Sequence, residues 1–265
     1  MAGLRLTLLG GFELTDTRGK SRPIRSKKAM ALLAYLVLSP GNQRRERIAA
    51  LLWPDSDEAQ ARHSLRQALV SLRKVLGETA LITDAENLCL DPGCIDADTT
   101  RFNRLLGLRE ADAWSEAATL CGGELLEGFQ SRSYPFEDWL QLQREHYRRK
   151  ALDLLQQLLD EYIGQNQFSK ALHLGARLLM LDPLREDVHR QLMQLYAQQG
   201  QYNHAFRQYQ LCRSLLRREL DMEPDQNTRN LYQLLQHRRQ QLSRASPSRP
   251  PKRPKHRHPV PKPRF

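Results

Sequence analysis

Cysteine is scarce in this 265-residue chain. The four present, Cys89, Cys94, Cys121 and Cys212, form no CxxC pair and no zinc-ligand spacing with nearby histidines. That excludes a disulfide framework or a structural zinc as the organising element, and leaves thiols packed as small hydrophobes in a reducing compartment. Long apolar runs are missing as well: the longest, residues 29–38, is about half of what a bilayer requires. Leu4, Leu6 and Leu8 alternate with other residues as in a strand, not as in a signal peptide. A cytoplasmic protein without membrane contact is expected. Catalytic motifs are lacking too, with no GxxxxGK[ST] phosphate loop, no HExxH and no GxSxG. His146, His173, His189, His204 and His237 are scattered without a carboxylate or cysteine constellation, so no enzyme, metal or cofactor is expected.

Acidic residues are unevenly distributed, and the formal net charge of +11 favours a polyanionic partner. Residues 244–265 contain eight Lys or Arg side chains and no acid, interleaved with Pro247, Pro250, Pro251, Pro254, Pro259, Pro261 and Pro263. No apolar set there offsets the entropy of ordering, so a disordered basic tail is expected from 243 to 265, able to reach phosphates without reading bases.

The first hundred residues predict a winged helix-turn-helix, assigned to 1–98. Short strands are expected at 4–9, 12–15 and around 22–24, separated by Gly10-Gly11 and Arg18-Gly19. Ser26 caps a helix over 27–38, apolar on nearly every side and hence central. A second helix begins near Arg45 and breaks at Trp53-Pro54; a third spans about 58–76 and stops at Gly77. Residues 80–83 and 88–90 flank Asp84-Ala85-Glu86-Asn87 as a closing hairpin.

The third helix carries the functional signal. At 100° per residue, Leu65, Leu69, Leu72 and Leu76 share one face with Ala68 and Val75 beside them, the core side. The opposite face holds His63, Arg66, Gln67, Val70 and Lys74, flanked by Arg62, Ser64, Ser71 and Arg73, with no acid from Arg62 to Leu76. An ordinary solvated face would mix Glu with Lys. This one matches base readout, in which Arg pairs with guanine, Gln with adenine, and an apolar tip meets a thymine methyl. Arg44, Arg45 and Arg47 open the second helix where phosphate contacts are made, whereas Arg25, Lys27 and Lys28 are equally compatible with plain solvation. The expected partner is double-stranded DNA, and residues 1–98 alone are expected to retain some binding.

From Thr99 to the tail the chain is expected to be helical, a domain of residues 99–242. Leu158, Tyr162, Phe168, Ala171, Leu178 and Leu181 recur 34 positions later as Leu192, Tyr196, Tyr202, Ala205, Cys212 and Leu215. That is the tetratricopeptide period, in which helix pairs bury their apolar faces by stacking. The fold class is therefore mainly α: a winged helix-turn-helix with small β elements, then an all-α tetratricopeptide-like domain suited to a protein partner.

Leu51-Leu52-Trp53-Pro54-Asp55, the run Ala61-Arg62-His63-Ser64-Leu65-Arg66-Gln67-Ala68-Leu69 and Leu72-Arg73-Lys74-Val75-Leu76-Gly77 together resemble the Streptomyces antibiotic regulatory protein (SARP) family. The later segment from Leu181-Asp182-Pro183-Leu184-Arg185-Glu186-Asp187-Val188-His189 to Tyr209, with Glu219-Leu220 and Glu223-Pro224, looks like that family's bacterial transcriptional activation domain. The resemblance implies a response-regulator-type winged helix that binds direct repeats near a promoter, on the nucleoid, and recruits RNA polymerase. It also implies a polymerase contact at the loop Trp53, Pro54, Asp55, Ser56, Asp57 and Glu58. The hairpin tip departs from it: a wing entering the minor groove usually offers Arg or Lys, and this tip is acidic. A scaffold built on the helical domain, or a repressor of the same fold, stays open at this point.

Overall fold

The computed structural model describes residues 3–245 and divides into two compact units, the first ending at Leu181 and the second beginning at Asp182. In the first unit β1 (Leu4–Thr7) pairs antiparallel with β2 (Glu13–Asp16), Leu6 opposite Leu14. The strand expected around 22–24 does not form: Thr15 bridges Ser21, the Arg22 amide reaches Leu14 O at 2.8 Å, and Pro23 has no N–H to continue. Helix α1 (Lys27–Leu38) begins at Ser26, whose Oγ accepts from the Ala29 amide, and buries Ala29 and every residue from Ala31 to Leu36. It is the central helix, as its all-round hydrophobicity requires.

A two-residue strand, β3 (Gln43–Arg44), precedes α2 (Arg45–Leu52) and α3 (Glu58–Leu76). Behind α3 come β4 (Leu81–Thr83) and β5 (Asn87–Leu90), the expected hairpin, with β3 on its other edge in the order β3-β5-β4. Then β6 (Ile95–Ala97) returns parallel to β1, giving the sheet order β2-β1-β6. At its end Asp98 enters α4 (Asp98–Leu108), and one carboxylate oxygen accepts from the Leu8 and Leu9 amides, both at 2.8 Å.

After α5 (Ala111–Leu120) the chain is not helical until α6 (Tyr134–Gly164), a departure from the continuous helix expected there. Gly122, Gly123 and Gly128, the last at φ +71°, break the periodicity. The segment is put to use: Leu125 bridges Leu9, the Leu126 amide donates to Leu8 O at 2.7 Å, and Gly10 N donates to Glu124 O at 3.0 Å. The N-terminal strand is thereby tied to the helical region, and the first compact unit runs on through α7 (Phe168–Leu181).

The second unit contains α8 (Glu186–Gln198), α9 (Tyr202–Leu220) and α10 (Gln226–Ala245). Its core gathers Met193, Ala197, Ala205, Tyr209 and Leu235, and Tyr209 stacks on Tyr232 with ring centroids 4.0 Å apart. The internal repeat is legible in the backbone as well as in the side chains. Between α6 and α7, Asn166 takes φ +56° and the Gln167 amide donates to Tyr162 O at 2.9 Å; between α8 and α9, Gly200 takes φ +72° and Gln201 donates to Tyr196 O at 2.8 Å. Each pair of positions is 34 residues apart, so both helices end in the same left-handed turn. Burial repeats too: Leu158, Ala171 and Leu178 are buried, as are Leu192, Ala205 and Cys212. Helix α10 continues through Ala245; the rest of the expected basic tail, residues 246–265, lies outside the described residues.

Candidate nucleic-acid interface

Two capped ends set the turn between α2 and α3. The Trp53 amide closes α2 on Ala49 O at 2.8 Å, and the Ser56 amide turns back to Trp53 O at 3.2 Å. Asp57 then starts α3, its carboxylate accepting from the Gln60 amide at 2.8 Å. Within the loop Trp53 and Ser56 are half-buried, while Pro54, Asp55, Asp57 and Glu58 are exposed.

Helix α3 divides cleanly. Ala61, Leu65, Ala68, Leu69 and Leu72 are buried, while Val75 and Leu76 are half-buried where the helix leaves the core. On the opposite side His63, Arg66, Gln67, Val70 and Lys74 are exposed; Val70, at 45%, is a large apolar side chain held out in water. Among the described residues no carboxylate lies within ion-pair distance of Arg66 or Lys74. A basic helix face without internal partners keeps its charge and donors available to an external polyanion.

The flanking positions differ from this face. Ser64 and Ser71 are half-buried at its edges. Arg73 is half-buried and directs Nη2 to Thr83 Oγ1 at 3.1 Å, so it braces α3 against β4. Arg62 is engaged by Glu46 at 3.1 Å and by Glu58 one turn away. Arg44 and Arg47 are exposed; Arg44 lies in β3 opposite Asn87 of the wing, and Arg45, half-buried, donates its amide to Glu86 O at 2.8 Å. Arg44 and Arg45 thus also join the start of α2 to the wing, whereas Arg47 is simply exposed. Lys28 points inward, its Nζ donating to Leu52 O at 2.6 Å.

Between α3 and the wing tip lies a groove of about 650 Å³ lined by Arg44, Arg45, Arg62 and Arg66 together with Glu46, Leu65, Asp84 and Glu86. The acidic tip has a structural use. Asp84 accepts from the Glu86 amide at 2.8 Å and the Asn87 amide at 2.6 Å, and those N–H bonds hold its carboxyl below its ordinary value. Asp84 therefore stays ionised and caps the turn at the wing tip, leaving Glu86 as the second acid there.

Burial pushes the thiols of Cys94 and Cys121 up to about 11 and that of Cys212 to about 12, so they remain protonated. Among the described residues no group of three His, Cys, Asp or Glu side chains is placed to hold a metal, and no helix is long and apolar enough to cross a membrane.

Residues 107–236 match the family model described as the bacterial transcriptional activator domain. No curated protein matches the sequence. Among solved structures, the chain is similar to Mycobacterium tuberculosis EmbR in complex with a low affinity phosphopeptide, at 20% identity and a TM-score of 0.69. The likeness covers 90% of this chain and 66% of EmbR, so the chain spans just under two thirds of that protein's length. At this identity EmbR speaks for the fold: a small-sheeted winged helix followed by helical pairs. Residues 107–236 thus match a bacterial transcriptional activator domain, and the chain shares with EmbR the fold of a winged helix-turn-helix followed by helical pairs.

Proposed function

We propose that the chain acts on the nucleoid as an activator, with α3 lying in the major groove and two protomers bound head to tail on a direct repeat near a promoter. The observation that carries this reading is the exposed, unpaired face of Arg66, Gln67, Val70 and Lys74. Arg66 is suited to guanine O6 and N7, Gln67 to adenine N6 and N7, and Val70 to a thymine methyl. Arg44, Arg45 and Arg47 at the start of α2 contact phosphates and fix register rather than sequence, and His63, Ser64, Ser71 and Lys74 border the readout. Arg73, braced on Thr83, contributes by holding α3 against the wing. With Asp84 and Glu86 at its tip, the wing approaches the duplex without inserting into the minor groove. The exposed Pro54, Asp55, Asp57 and Glu58 beside Trp53 and Ser56 form the surface offered to RNA polymerase, and the helical units are free to take a further protein partner.

Footprinting on duplexes carrying two half-sites tests the arrangement. Protection of a direct repeat spaced by about one helical turn, lost when a half-turn is inserted, is the expected result. Protection of an inverted repeat would contradict it.

A further inference from the structure

The last two carbonyls of α2 are satisfied from outside the helix. Leu51 O accepts from Ser133 Oγ at 2.6 Å, and Leu52 O accepts from Lys28 Nζ at 2.6 Å. Such carbonyls have no partner within their own helix, and these two immediately precede the turn that launches α3. Ser133 is itself locked in place. It is 1% exposed at the start of α6, its amide donates to Ser131 Oγ at 3.1 Å, and Ser131 Oγ donates to Glu137 Oε1 at 2.8 Å. The Ser131 amide makes a further bond to the same Glu137 oxygen at 2.6 Å. Behind this network Trp139 of α6 packs on Tyr35 of α1 with ring centroids 5.0 Å apart, and on Phe136 at 5.1 Å. One end of α6 therefore grips both α1 and the C-terminus of α2.

The geometry points to Ser133 and Lys28 as positioning residues for DNA reading: they hold the α2 terminus so that the turn and α3 keep one orientation, and Ser133 couples the activator domain to the reader. The inference rests on the reading of α3 as the base-contacting helix. Neither residue belongs to that surface, since Ser133 is buried and Lys28 is turned inward. Their effect reaches DNA only through the carbonyls of Leu51 and Leu52. A buried polar network of this kind has one well-bonded arrangement, and breaking any member leaves another group unpaired. A ligand or partner that shifts the start of α6 would thus shift α3.

The test uses the full chain and four forms: wild type, Ser133→Ala, Ser133→Thr, and Lys28→Met, which keeps the aliphatic stem. A duplex selected from a random library by the wild-type chain is compared with a scrambled duplex by fluorescence anisotropy. Amide hydrogen exchange is followed without DNA. Ser133→Ala should lose roughly tenfold of the protection at the Trp53 and Ser56 amides, the loss expected for one buried hydrogen bond. It should also weaken binding to the selected duplex by a similar factor while leaving the scrambled duplex unchanged. Ser133→Thr keeps the hydroxyl and should restore both readouts. Lys28→Met should behave like Ser133→Ala and so covers the case in which that variant fails to fold. Unchanged exchange at Trp53 and Ser56, or equal weakening on both duplexes, overturns the positioning role. A wild-type chain that selects no sequence at all defeats the DNA reading instead, and the exchange data still decide whether the clamp exists.

Discussion

Removing the Asp98 carboxylate should loosen the first compact unit where its sheet meets its helices. One oxygen of Asp98 accepts from two consecutive amides, those of Leu8 and Leu9, and the other accepts from the Thr99 amide at 2.7 Å. Leu8 is fully buried and Leu9 nearly so, at 7% exposure. In Asp98→Ala the two strand-side donors lose their acceptor in a place water reaches poorly. Each such donor costs about 1–3 kcal/mol, so a total of roughly 2–5 kcal/mol is expected after partial relaxation. Urea unfolding should register it as a fall of about 1–2 M in midpoint at unchanged slope. Asp98→Asn, which keeps an acceptor, should cost less. Burial pushes the Asp98 carboxyl above its ordinary value, outweighing the three N–H bonds. A raised folded pKa means stability that is present below about 3.9 and lost as pH rises through the folded value. The deficit of Asp98→Asn relative to wild type should therefore shrink as pH rises through that window. An Asp98→Ala chain within about 0.5 kcal/mol of wild type would show that the amides find other partners, and would refute the reasoning.

The unit boundary at Leu181 predicts that a fragment of residues 1–181 keeps the DNA preference of the full chain. Residues 1–98 alone, lacking the Leu125, Ser133 and Trp139 contacts, should melt at a clearly lower temperature; equal melting of the two fragments by circular dichroism would contradict this. In the second unit His189 is fully buried, with Nε2 3.1 Å from Pro183 O and Nδ1 2.7 Å from Gln208 Nε2. Burial holds its imidazole below the ordinary 6.5, so its contribution is present above that value and lost as pH falls through the lower folded one. Denaturant midpoints of wild type should drop between about pH 7 and about pH 5 by more than those of His189→Gln, and parallel profiles would count against it.

What could be read in the sequence was whatever a single periodicity determines. The buried run of α1 and the two faces of α3 follow from spacing alone, because one residue type repeated at helical period fixes a face. The 34-residue repeat fixed the paired helices and, unforeseen, the matched turns at Asn166 and Gly200. Long-range pairings were not legible. Strands as short as Gln43–Arg44 and Ile95–Ala97 exist because partners from elsewhere supply their bonds, and no local pattern announces that. Similarly, a basic residue on a wheel does not reveal its partner. Arg73 on Thr83, Arg62 between Glu46 and Glu58, and Lys28 on Leu52 O all resemble Arg66 in sequence, and only the fold separates them. Ser133 carried no signal, since a serine before Tyr134-Pro135 reads as a helix start rather than as the clamp of another helix.

The central claim, that the exposed face of α3 reads bases, is tested most directly by selecting preferred duplexes from a random library with wild type and with the double variant Arg66→Ala, Gln67→Ala. Both side chains are exposed, so folding should be unaffected, as a melting curve will confirm. The expected profile keeps its half-site spacing but loses discrimination at particular base pairs, by about 1–3 kcal/mol at the position Arg66 contacts. Arg47→Ala, measured alongside, should weaken all duplexes alike. A double variant that selects the same sequences with the same preferences as wild type would contradict the claim.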